Sequence, residues 1–170
     1  MHNSIIRKLI LLFCLTTVSF SFVSNALATD EAQYAMTNSF ISKLNSEGVK
    51  YTYLGMDDDD DELVQVRYTT DALGSYTLNF YFDGEDFVQI YVWNLVEANA
   101  GKNFTLNTVN TLNNKYNFVT FTLDEEDLVL DAQATFYVGV DAGDVVYKTM
   151  NAINNIFRKD FFISAVSSIQ

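Results

Sequence analysis

Between residues 36 and 44 apolar side chains recur at helical spacing, with Met36, Phe40, Ile41 and Leu44 forming one stripe. That is the pattern of a helix buried along one face. Asp30, with Gln33 three residues on, suits its start, and Gly48 suits its end. Beyond Lys50 the period drops from 3.6 to 2. Tyr51 and Tyr53 mark a short strand; Val64, Val66 and Tyr68 then alternate with polar neighbours; Tyr76, Leu78, Phe80 and Phe82 share one face of a third strand. Asp83-Gly84 is a hairpin dipeptide, and residues 87–93 return from it. Helical spacing reappears from about Asn103 in Leu106, Val109, Leu112 and Tyr116. Two more strands, 118–123 and 128–138, flank the turn Asp124-Glu125-Glu126-Asp127. A closing helix carries Val146, Met150, Ile153 and Phe157, with Asp141 placed to cap it.

The predicted order is α-ββββ-α-ββ-α: an α+β fold, with an antiparallel sheet of about six strands and three helices. A doubly wound parallel sheet is excluded by its connections. Parallel neighbours need a crossover of a dozen residues or more, and the turns at 83–84 and 124–127 are far shorter.

The N-terminus reads differently. Arg7 and Lys8 precede an apolar run over residues 9–23, and Ala26-Leu27-Ala28 has the small residues of a cleavage site. The run is shorter than the ~20 residues that span a bilayer, so the reading is a signal peptide over residues 1–28, cut after Ala28. Cys14 lacks the small preceding residue of a lipoprotein signal, because Phe13 stands there. The expected destination is the periplasm or the exterior. Residues 29–170 are expected to form a single domain, since the chain has no proline and no linker-like stretch.

Processing would change the chemistry available. The only histidine, His2, and the only cysteine, Cys14, both leave with the signal. Triads built on His, disulfides and a tight zinc site are then out of reach. The whole chain carries 22 acidic against 10 basic residues, for a formal net charge of −12. Such a surface repels nucleic acid and anionic lipid. No nucleic-acid partner, no stable membrane insertion after cleavage and no cofactor are expected, and an enzyme is disfavoured.

Three features remain as candidate sites. Asp57, Asp59 and Asp61 alternate as at the start of a calcium loop, but Glu62 stands where such a loop needs glycine and strand residues follow at once. The run 57–62 therefore reads first as a solvated connection, with divalent-cation capture as an alternative. The acidic turns at 83–86 and 124–127 offer a glycosidase-type carboxylate pair as a third reading, although they serve better as hairpin tips. The aromatic residues Tyr51, Tyr53, Tyr68, Tyr81, Tyr91, Trp93 and Tyr137 point to a binding surface, because Tyr and Trp bury area while keeping a polar tip. A protein or peptide is the expected partner, with a homodimer as one version of that.

Several segments together resemble a known family. They are Val109-Asn110-Thr111-Leu112-Asn113, Phe118-Val119-Thr120-Phe121-Thr122-Leu123-Asp124, Leu128-Val129-Leu130, and Gly139-Val140-Asp141 at the head of the closing helix. The stretch from about 105 to 161 is similar to the YbjN domain family, in which an Asn-bearing helix precedes a hairpin with an acidic turn. The resemblance implies a fold like that of type III secretion chaperones and a role in regulating sensory transduction. It supplies no catalytic residues. The export signal and the longer strand region before the second helix are departures from the family pattern.

Overall fold

A computed structural model describes residues 32–139 and 142–170. Asp30, Asp141 and the whole of the expected signal lie outside the described residues. The elements are α1 (Ala35–Ser46), β1 (Thr52–Met56), β2 (Glu62–Thr70), β3 (Gly74–Phe82), β4 (Phe87–Glu97), α2 (Lys102–Lys115), β5 (Thr120–Asp124), β6 (Val129–Tyr137), α3 (Ala142–Ile156) and α4 (Asp160–Ser167). Six antiparallel strands form one sheet in the order β1-β2-β3-β4-β6-β5. The fold is α+β, as the periodicity predicts, with a fourth helix among the described residues. Phe157 ends the stripe of α3, the chain turns at 157–159, and α4 buries Phe162 and Val166 in the same core.

Period 2 divides the sheet into two unlike faces. Val64, Val66, Leu78, Phe80, Phe82, Val88 and Ile90 are sealed under the helices. Phe40 of α1 packs its ring 4.7 Å from Phe80 and 5.7 Å from Phe82. Phe157 meets Tyr76 edge-on at 5.2 Å, and Phe162 lies 5.6 Å from Phe121. Such rings bury large areas and supply most of the cohesion of a core without disulfides. The alternate positions, among them Arg67, Thr77, Tyr81, Tyr91 and Thr135, are half-buried or exposed. Among the described residues nothing covers that face.

Two irregularities shape the sheet. β3 and β4 pair only from Asn79↔Tyr91 to Phe82↔Val88 and then diverge. Asn79 sits at the fork: its amide donates to the Tyr91 and Thr77 carbonyls, and its oxygen accepts from Gln65 Nε2 at 2.8 Å. In β4 a bulge separates Val92, paired with Ala132, from Val96, paired with Leu130. Asn94 enters the left-handed region there, at φ 53°, and its N–H donates to the Asp131 carboxylate at 2.7 Å.

α1 and α3 approach closely on the core side. Gly143 makes this possible: its N–H donates to Ser39 Oγ at 3.0 Å, and a Cβ at this position would run into the Ser39 backbone carbonyl. The sequence pattern identifies Gly139 as the glycine leading into α3, but Gly143 is the one the packing requires.

Candidate functional site

Of the seven aromatic residues singled out by sequence, the structure gathers three into one ladder on the open face. Tyr91 and Trp93, two apart on β4, stack at 4.6 Å and 7° from parallel. Tyr81 on β3 meets Tyr91 edge-on at 5.7 Å. The Tyr91 hydroxyl donates to Gln89 Oε1 at 2.9 Å, which fixes the middle ring. The indole of Trp93 remains half-exposed. Tyr137 lies further along the same face, paired with Phe87 at 4.0 Å, and is 66% exposed. Rings locked by neighbours yet open to solvent lose little freedom when a partner covers them.

Tyr51, Tyr53 and Tyr68 are not brought to that surface. Tyr53 pairs with Val64 and Tyr68 with Tyr76, both across the helical side of the sheet. Tyr68 stacks on Tyr76 at 5.8 Å. Tyr51 packs partly buried against the core, with its hydroxyl 3.4 Å from Asn45 Nδ2. The physical reason is parity, since residues an even number apart on one strand share a face. Counting outward from Val64 and Val66 places Tyr68 inside; the sequence reading weighed aromatic type and gave parity too little weight.

The acidic run splits into two jobs. Asp57–Asp61 form the tight hairpin between β1 and β2. Asp57 Oδ1 accepts the N–H groups of Asp59 and Asp61, each at 3.0 Å, the Asp57 N–H reaches the Asp61 carbonyl at 2.8 Å, and Asp60 sits at φ 64°. The same device recurs at both other acidic turns. Asp83 Oδ1 accepts from Glu85 and Phe87, and Asp124 Oδ1 accepts from Glu126 and Asp127. These aspartates are turn formers. Among the described residues no group of three or more His, Cys, Asp or Glu side chains is arranged to hold a metal ion.

Glu62 belongs to the core and not to the loop. Register with Phe82 turns it to the helical face, where it is fully buried. Its Oε1 accepts the Gln33 N–H at 2.6 Å and the Tyr53 hydroxyl at 2.5 Å, and its Oε2 accepts the Tyr34 N–H at 3.0 Å. It thus places a negative charge at the start of α1, a helix with no acidic residue in its first turn and no side-chain cap of its own. The buried Thr37 hydroxyl faces the same carboxylate without reaching hydrogen-bond geometry. Burial pushes the Glu62 carboxyl up, but the phenol and the two backbone donors outweigh it and hold the group below the usual range.

The surface also carries two concavities outside the ladder. One, of about 430 Å³, lies on the open face over β1–β3 and includes Lys50, Gln65, Arg67 and Thr77. The other, of about 750 Å³, runs between β6, residues 117–118 and α3. Neither emerges from periodicity or motif, because each joins residues far apart in sequence. Among the described residues no helix is long and apolar enough to cross a membrane.

Comparison with curated proteins finds no match, and comparison with solved structures finds none. The YbjN family model, described as "Putative bacterial sensory transduction regulator", matches residues 42–155. That span runs from the middle of α1 through the whole sheet to the end of α3. With two thirds of its length matched in this way, the chain belongs to the YbjN family.

Proposed function

We propose that this YbjN-family protein acts by binding, and that a protein or peptide partner docks on the open face of its sheet. The observation that carries this is the ladder Tyr81, Tyr91 and Trp93, three ordered rings on a face without a covering layer. The acidic residues of the hairpins sit at the strand ends, around 57–61, 83–86 and 124–127, whereas the face itself carries mainly hydroxyl, amide and aromatic side chains with Arg67. Tyr, Trp and Arg are the residue types that anchor protein interfaces, and an acidic rim steers partners of opposite charge. A regulator of sensory transduction would work through such a docking event. The export reading places it in the periplasm or outside the cell, where the mature protein would begin at Thr29.

Trp93 is the sole tryptophan, so its emission reports directly on the face. The test is capture of partners by the tagged mature domain from an envelope fraction, with Trp93→Ala and Tyr91→Ala as controls. The reading requires a partner that perturbs Trp93 emission in the purified pair and is lost from both variants. Partners held equally by wild type and variants would overturn it. N-terminal sequencing of the cell-derived protein tests the export half: a start at Met1 in the cytosol would sink it.

A further inference from the structure

β6 changes character half-way along its length. From Val129 to Gln133 it is paired on both sides, by β4 and by β5. Thr120↔Gln133 is the last pair with β5, while β4 continues to pair as far as Tyr137. The Val138 N–H donates to the Asp86 carbonyl at 2.8 Å, which fixes the parity: residues 134 and 136 turn their backbone groups toward β4, and Thr135 and Tyr137 turn theirs away. Two N–H and two C=O groups are therefore aligned along an edge that no described strand pairs.

The neighbouring edge is treated differently. On β5 the outward backbone of Phe121 is closed by Asn113 of α2, whose Nδ2 donates to the Phe121 carbonyl at 2.9 Å while its Oδ1 accepts the Phe121 N–H at 2.7 Å. Covering an edge in this way is how sheets avoid unwanted pairing. Among the described residues the edge at 134–137 has no such cover and instead opens onto the groove of about 750 Å³, whose apolar lining includes Phe118, Phe136, Val145 and Ala152. Phe118 is half-exposed in it, and Lys148 is its one charged residue.

We propose that this groove takes an extended segment of a partner protein, added as a strand beside Thr135–Tyr137. Alternate apolar side chains of the segment lie against Phe118, Phe136, Val145 and Ala152, and a carboxylate side chain of the segment meets the Lys148 ammonium. Charge complementarity selects this occupant. Lys148 is the one charged residue lining the groove; its ammonium lies 3.8 Å from Asp144 Oδ2 in a loose, exposed pair, and Asp144 is held more closely by Lys43 at 2.9 Å, so in a chain of net charge −12 Lys148 is the group in the groove that accepts a carboxylate. A second copy edge to edge would set Lys148 near its own counterpart and oppose two strongly acidic bodies. Four strand residues span roughly 13 Å, which suits a segment of about five residues recognised by main-chain bonds and alternate pockets. The proposal deepens the binding reading above and rests on its protein-partner class, with Tyr137 common to both surfaces.

The probe is a blocked, labelled heptapeptide alternating valine and threonine with one central glutamate, followed by fluorescence anisotropy at low salt on the mature protein. Saturable binding is expected, weakened at least fivefold when the peptide glutamate becomes lysine. Ala152→Phe fills the groove and should abolish binding with unchanged far-UV circular dichroism. Lys148→Glu alters an exposed side chain and should reverse the preference between the two peptides, which keeps the test decisive if Ala152→Phe fails to fold. Absence of saturable binding, or equal binding by wild type and Lys148→Glu for both peptides, overturns the proposal. Leu54→Ala, an exposed change on β1 at the opposite edge of the sheet, should leave peptide affinity within twofold. A partner captured through the ladder but indifferent to Ala152→Phe would refute the groove and leave the face intact.

Discussion

Tyr53 donates its hydroxyl to the Glu62 carboxylate at 2.5 Å, across the hairpin of aspartates, and so ties β1 to the buried charge that begins α1. A buried carboxylate is tolerated only when its oxygens are fully engaged, and the phenol together with two backbone donors meets that condition. Glu62→Gln removes the charge and turns an amide donor toward groups that are themselves donors. The expected loss is about 2–4 kcal/mol in urea unfolding at pH 7.

The same carboxyl sets an acid limit. Its native pKa is held below the unfolded value, so ionised Glu62 adds stability above the unfolded pKa, and that contribution disappears as pH falls through the native one. Denaturation midpoints measured downward from pH 6 should therefore fall through the carboxylate range. Glu62→Gln should show a shallower decline; an identical slope would assign the acid sensitivity to other groups.

Gly143→Ala tests the contact between α1 and α3. The added methyl meets backbone and not a flexible side-chain tip, so the helices must separate. A cost of about 1–3 kcal/mol is expected, read as a lower thermal midpoint. Gly101→Ala is the control, because a Cβ there meets nothing within 4 Å.

Asn113→Ala removes both bonds to Phe121 and exposes the outer edge of β5. About 1–3 kcal/mol should be lost, and light scattering during concentration should rise through edge pairing. Asn113→Asp keeps the acceptor but loses the donor, and should fall between Ala and wild type.

Tyr76→Phe probes the buried link from sheet to α3. The Tyr76 hydroxyl donates to Asn154 Oδ1 at 2.6 Å, and burial raises its pKa to about 12. Loss of the hydroxyl should cost about 1–2 kcal/mol by leaving the Asn154 oxygen unpaired, while the ring contact with Phe157 persists.

The architecture was legible because its signals are local. The stripe Val146, Met150, Ile153 and Phe157 and the row Tyr76, Leu78, Phe80 and Phe82 each state a period within one element, and all eight are buried as read. Asn113 was visible within the family resemblance, yet its reason lies eight residues away on β5. Glu62 was hidden by its surroundings: five aspartates before it disguise a core position as the end of a polar loop, and only its parity with Val64 and Val66 marks it. Tyr53 and Tyr68 were misjudged for the same reason. Gly143 against Ser39, and Lys148 and Phe118 on the wall of one groove, are tertiary juxtapositions, which no window along the chain displays.

The hairpin of aspartates also acts as a ruler. Since side chains alternate sides with every residue, inserting or deleting one Asp between Met56 and Glu62 would offset how the two strands align, unless the turn absorbed the change. The glutamate would then be carried to the opposite side and a leucine or aspartate left facing the helix start. A monotonous stretch of five like residues is thereby held to a fixed count, and its length, more than its charge, is what the molecule has to preserve.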